Sequence, residues 1–140
     1  MEKTEKTILL VDDDVAFLYY VEEAMQDAGY RVITKTDGKA ALSVLDEGTA
    51  VDLVITDYMM PGMDGLKLIS ALRNRTLSIP VILLSAHGNI ESYFRALNLG
   101  AYEFVSKPVK MRELNVIVKS ALSGTSPNVR KAVPVQADSV

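Results

Sequence analysis

Apolar residues follow two rhythms along this chain, and the two alternate. The runs from Ile8 to Val11, from Leu53 to Ile55 and from Val81 to Leu84 are continuously apolar. Runs of that length rich in β-branched residues read as strands buried on both faces. Arg31 to Lys35 and Tyr102 to Ser106 read as two further short strands. Between them, Val15, Leu18, Tyr19, Val21, Ala24, Met25 and Ala28 approximate helical spacing, with Gly29 as a C-terminal stop and Asp14 as the N-cap. Tyr19, Tyr20 and Met25 are read as packing on that helix. Asp37 and Gly38 turn into a second helix from Lys39 to Glu47. Gly65 to Asn74 forms a third, with Leu66, Ile69 and Leu72 on one face and Asp64 as a loop or cap residue. Ile90 to Leu99, closed by Gly100, and Met111 to Leu122 complete the set.

Strands and helices that alternate in this way imply parallel strands joined by right-handed crossovers, hence an α/β doubly wound sheet with helices on both faces. The alternation fills residues 7–122. Residues 1–6 read as an N-terminal extension. Residues 123–140 lose all periodicity, carry Pro127 and Pro134, and read as a flexible tail or linker stump. At 140 residues the chain has the size of one domain. Its net charge of -3 argues against direct nucleic-acid binding, which needs a basic patch. The absence of cysteine excludes disulfides, thiol catalysis and Cys-ligated zinc, and a single histidine excludes a His-rich metal site. The charged N-terminus lacks a signal-peptide core, and no apolar run approaches the ~20 residues of a membrane span, so no membrane association and a cytoplasmic location are expected.

The chemistry gathers at the carboxyl ends of the strands, where open α/β sheets bind ligands. The first strand ends at Asp12 and Asp13, the third at Asp57, the fourth at Ser85 and the fifth at Lys107. In a parallel sheet these ends share one edge. Carboxylates crowded there repel one another, and a hard divalent cation relieves the repulsion. Mg2+ suits such oxygen ligands, with Mn2+ able to substitute. Asp13 and Asp57 are the direct ligands in this reading, with a backbone carbonyl near Met59 as a third and Asp12 holding a water ligand. The Ser85 hydroxyl, the Lys107 ammonium and loop amides are donors suited to phosphoryl oxygens. Asp57 is the carboxylate placed to act as a nucleophile and form an aspartyl-phosphate.

Val11, Asp12 and Asp13, then Asp57 followed by Met60, Pro61, Gly62, Met63, Asp64 and Gly65, then Leu84, Ser85 and Ala86, and finally Lys107 and Pro108, resemble in order and spacing the receiver domain of bacterial two-component response regulators. The resemblance covers residues 6 to about 122. It implies a flavodoxin-like (βα)5 fold with strand order 2-1-3-4-5, and a Mg-dependent transfer of phosphate to Asp57 from a sensor histidine kinase or a phosphotransfer protein. It implies Asp12 and Asp13 as the acidic pair, Ser85 as the switch hydroxyl, Lys107 as the phosphate-contacting lysine and a cis Lys107–Pro108 bond. Phe104 falls at the family's aromatic switch position, where its ring rotates into space that Ser85 vacates. The surface of the fourth helix, fifth strand and fifth helix then acts on an output domain or partner protein, or carries a phosphorylation-dependent homodimer.

Two other classes share parts of this pattern. A magnesium-dependent phosphohydrolase with an aspartyl nucleophile would use the spacing of Asp12 and Asp14, but the chain has no room for a substrate-capping insertion. A flavin-binding module would need a Ser/Thr/Gly-rich loop after the first strand, where three aspartates stand instead. His87, two positions past Ser85, reads as a solvent-facing residue that could overhang the pocket. Met59, Met60 and Met63 read as loop fillers, or as an apolar docking face beside the site.

Overall fold

A computed structural model describes residues 5–86 and 88–124. The expectations for His87, for residues 1–4 and for residues 125–140 lie outside the described residues. The strands are β1 (Thr7–Val11), β2 (Arg31–Lys35), β3 (Leu53–Asp57), β4 (Val81–Ser85) and β5 (Glu103–Ser106). The helices are α1 (Val15–Asp27), α2 (Gly38–Asp46), α3 (Gly65–Asn74), α4 (Ile90–Asn98) and α5 (Met111–Ser123). The sheet has the order β2-β1-β3-β4-β5, and every neighbouring pair is parallel. The expected doubly wound, flavodoxin-like architecture is therefore the one observed. Element ends differ from the sequence reading by one or two residues, as fraying termini do.

The two-residue pleat divides the core. Leu9, Val11, Val54, Val81 and Leu83 face one side and pack with α2, α3 and α4. Ile8, Leu10, Leu53, Ile55, Ile82 and Leu84 face the other and pack with α1 and α5. Strands covered on both faces carry apolar residues at every position, which explains their unbroken apolar runs. Asp57 falls in step with Leu53 and Ile55, on the side that α1 covers.

Four helices begin on a side chain that accepts a backbone N–H. Asp14 accepts from Phe17 at 3.1 Å, Asp37 from Ala40 at 2.8 Å and Asp64 from Lys67 at 2.9 Å. Asn89 and Ser92 form a reciprocal capping box at α4. The far end of α3 is held by Arg73, whose guanidinium donates to the carbonyls of Leu77, Ile79 and Gly100. That side chain fastens the segments leading into β4 and β5 to one helix.

Two packing expectations are corrected. On α1 the buried stripe is Leu18, Val21 and Met25, and Tyr19 and Tyr20 lie 63% and 53% exposed. Each residue turns a helix by about 100°, so the two tyrosines are carried off the stripe. In the loop after β3, Met59 alone of the three methionines is exposed. Met60 is buried with its sulfur 4.0 Å from the Thr56 hydroxyl, and Met63 packs against Gly38 at the start of α2.

Candidate functional site

The carboxyl edge of the sheet brings four side chains together. Asp12 follows β1, and its backbone N–H donates to the Lys35 carbonyl at 3.1 Å, which extends the β1–β2 pairing by one step. Asp57 is the last residue of β3, opposite Leu84 of β4. Lys107 follows β5, and its N–H donates to the Ser85 carbonyl at 2.8 Å. Its peptide bond to Pro108 is cis. The Lys107 ammonium lies 3.0 Å from Asp12 Oδ2 and 3.1 Å from Asp57 Oδ1, and so bridges two strands' ends. The other Asp12 oxygen accepts the Asp14 N–H at 2.9 Å. Asp12 and Asp57 are buried, and Asp13 stands exposed at the mouth.

Charge is unevenly distributed in this pocket. Asp12, Asp13 and Asp57 each offer a carboxylate oxygen, and these three atoms lie within 4.8 Å of one another. One ammonium opposes three negative charges. Burial, then the neighbouring Asp12 charge, push the Asp57 carboxyl above its ordinary value, against the opposing hydrogen bond from Lys107. Burial works against the Lys107 charge as well, but hydrogen bonds to Asp12 and Asp57 outweigh it and the ammonium is held above its usual range. The remaining excess of negative charge, and a donor set made of hard oxygens, fit a divalent cation of the magnesium type. Each Asp12 oxygen already accepts one hydrogen bond and retains a second lone pair. Met59 lies on the same rim two residues past Asp57.

Ser85 ends β4 buried, opposite Ser106. Phe104 also lies inside, with its ring edge-on to Tyr58 at 5.7 Å and to Tyr93 at 6.0 Å. Gly88 closes this group. A Cβ there would stand 2.5 Å from the Phe104 ring and 3.4 Å from the Ser85 hydroxyl, so only a glycine lets the loop approach both. Tyr58, Tyr93 and Gly88 around Phe104 carry no motif that marks them in the sequence. Phe17 is a further residue missed there. Its ring centroid is 4.3 Å from the Lys107 ammonium, and its place on the first turn of α1, four residues past Asp13, is the one signal that pointed to the pocket.

Comparison with known proteins places this site in context. The response regulator receiver domain family matches residues 8–119. The uncharacterized transcriptional regulatory protein YbdJ of Bacillus subtilis is 41% identical over 115 residues, covering 82% of this chain and 50% of that protein. The alkaline phosphatase synthesis transcriptional regulatory protein PhoP of Bacillus subtilis is 35% identical over 117 residues, covering 84% of this chain and 48% of that protein. The chain thus spans about half the length of these two relatives. Among solved structures, a response regulator receiver domain protein from Clostridium thermocellum superposes with a TM-score of 0.80 at 28% identity, covering 84% of this chain and 94% of that one. The chemotaxis response regulator CheY4 of Vibrio cholerae gives 0.78 at 29% identity, covering 85% and 100%.

Proposed function

The chain belongs to the response regulator receiver family, and on that premise we propose that it is a phosphorylation-gated signalling switch with Asp57 as the phosphoacceptor. The observation that carries this reading is the Lys107 ammonium bridging Asp12 and Asp57, with Asp13 open beside them. The donor is a sensor histidine kinase or a phosphotransfer protein. An Asp57 oxygen attacks the donor's phosphorus, the donor's bond to phosphorus breaks, and an acyl phosphate forms. Lys107 is already within 3.1 Å of Asp57 and needs only a short movement to meet the new phosphoryl oxygens. Asp13, Asp57 and the Met59 backbone carbonyl would hold a magnesium ion, with Asp12 acting through a water, and the ion would supply charge neutralisation at the phosphoryl group.

The phosphoryl group adds ~-1.5 to -2 charge and three acceptors. Those acceptors draw the Ser85 hydroxyl and Lys107 inward. Ser85 and Phe104 meet across Gly88, so a displaced Ser85 repacks a ring that already lies inside, among Tyr58 and Tyr93. The repacking reaches the outer surface of α4, β5 and α5, where Ile90, Phe94 and Val116 are exposed. This biases an existing two-state equilibrium. The recipient is an output domain, a separate partner or a second copy.

Backbone amide spectra with magnesium and beryllofluoride, a mimic of the phosphoryl group, test the switch. Shifts are expected at Asp57 and Lys107 and also along α4, β5 and α5. Ser85→Ala is expected to retain the shifts at the pocket and lose most of those on the far surface. Wild-type shifts confined to the pocket, or remote shifts unchanged in Ser85→Ala, would contradict the coupling.

A further inference from the structure

The Lys107 ammonium has three N–H donors and is approached from three sides. Two are the Asp12 and Asp57 carboxylates, at 3.0 and 3.1 Å. The third is the Phe17 ring, with 4.3 Å from the ammonium nitrogen to its centroid. An aromatic face is negative at its centre and attracts a cation at that range. We propose that Phe17 is a positioning residue for phosphoryl transfer, its ring holding the Lys107 ammonium over the Asp57 carboxylate. The inference rests on the reading of Asp57 as phosphoacceptor.

The backbone that carries the ring is fixed by the acid loop. Asp12 Oδ1 holds the Asp14 N–H at 2.9 Å, and Asp14 Oδ1 in turn holds the Phe17 N–H at 3.1 Å. Phe17 also packs against the apolar layer between the sheet, α1 and α5. The ring is therefore mounted on the same short segment that supplies the acids, and its packing against that layer holds it there.

A lysine on a flexible four-carbon stem loses rotamer freedom when it is held in one geometry. The Asp57 contact cannot hold it throughout the reaction, because an Asp57 oxygen becomes bonded to phosphorus. The ring contact is independent of that oxygen and persists. It also leaves the N–H donors free to turn, since a ring competes for them more weakly than a third carboxylate does. Phe17 thus restrains Lys107 without sequestering it from the incoming phosphoryl group.

The test compares wild type, Phe17→Leu and Phe17→Tyr. In metal-free protein, ring currents should shift the Lys107 ε-methylene protons upfield in wild type and in Phe17→Tyr. They should return to the ordinary lysine position in Phe17→Leu. The initial rate at which acetyl phosphate with magnesium labels Asp57 should fall about threefold to tenfold in Phe17→Leu and stay near wild type in Phe17→Tyr. Rates are read well below the melting temperature of each variant. An unshifted Lys107 in wild type, or Phe17→Leu labelling as fast as wild type, overturns the inference. So does Phe17→Tyr labelling as slowly as Phe17→Leu, which would mark a packing role alone. A wild type that takes no label overturns the reading of Asp57 and this inference with it, a result distinct from equal labelling of wild type and Phe17→Leu.

Discussion

Lys107→Met is expected to slow phosphorylation of Asp57 by acetyl phosphate about 100-fold, and to destabilise the fold at neutral pH by about 2–4 kcal/mol. Methionine is close to lysine in length and apolar contact but brings no charge and no donor. The first effect follows from losing a fixed cation where charge develops on the transferred group. The second follows from leaving Asp12 and Asp57 buried without their common partner. Its pH dependence has a definite sign. Asp57 already holds its proton above the ordinary carboxylate value of 3.8, chiefly through burial. Removing the opposing ammonium raises it further, so the deficit is full at neutral pH and shrinks as acid protonates Asp57. The Lys107 contribution in wild type is present below its ordinary value of 10.5 and is lost only as the pH rises past its raised value. Urea titrations of both proteins between acid and neutral pH check this. A deficit that does not change with pH would mean that lost packing, and not the ion pairs, accounts for it.

Gly65→Val is expected to cost about 3 kcal/mol and to disturb the pocket at the same time. A Cβ at Gly65 would lie 2.5 Å from a terminal carbon of Leu83, which can move, but also 2.7 Å from the Asp57 carbonyl oxygen and 3.1 Å from Tyr58 Cα, which cannot move alone. The Gly65 N–H donates to the Tyr58 carbonyl at 2.8 Å and draws the start of α3 against the end of β3. A larger residue therefore pushes on the backbone that aims Asp57. The urea midpoint should fall, and acetyl phosphate labelling of the protein that remains folded should slow. Stability within about 0.5 kcal/mol of wild type, the range of an ordinary surface substitution, would show that the helix can retreat without cost.

Much of the fold was legible because a parallel sheet covered on both faces writes itself as unbroken apolar runs, and α1, α2 and α3 each open on an aspartate cap. The pocket was legible for a related reason. Topology alone sends the carboxyl ends of β1, β3 and β5 to one edge, so Asp12, Asp57 and Lys107 needed no contact information. What stayed hidden depends on side chains meeting across elements with no fixed sequence interval. Arg73 reaches the Gly100 carbonyl, and Phe17 meets Lys107 across most of the chain. The tyrosines of α1 misled for the opposite reason. Apolar residue type marks a helical face only within its stripe, and Leu18, Val21 and Met25 already fill it.

Asp57 is expected to receive the phosphoryl group in a pocket completed by Asp12, Asp13 and Lys107. Intact-mass spectrometry with peptide mapping, after incubation with acetyl phosphate and magnesium, tests it most directly. Wild type should gain one phosphoryl group on the peptide that contains Asp57, and Asp57→Asn should gain none. A label of equal stoichiometry on Asp57→Asn, or one mapped to another residue in wild type, would contradict the account.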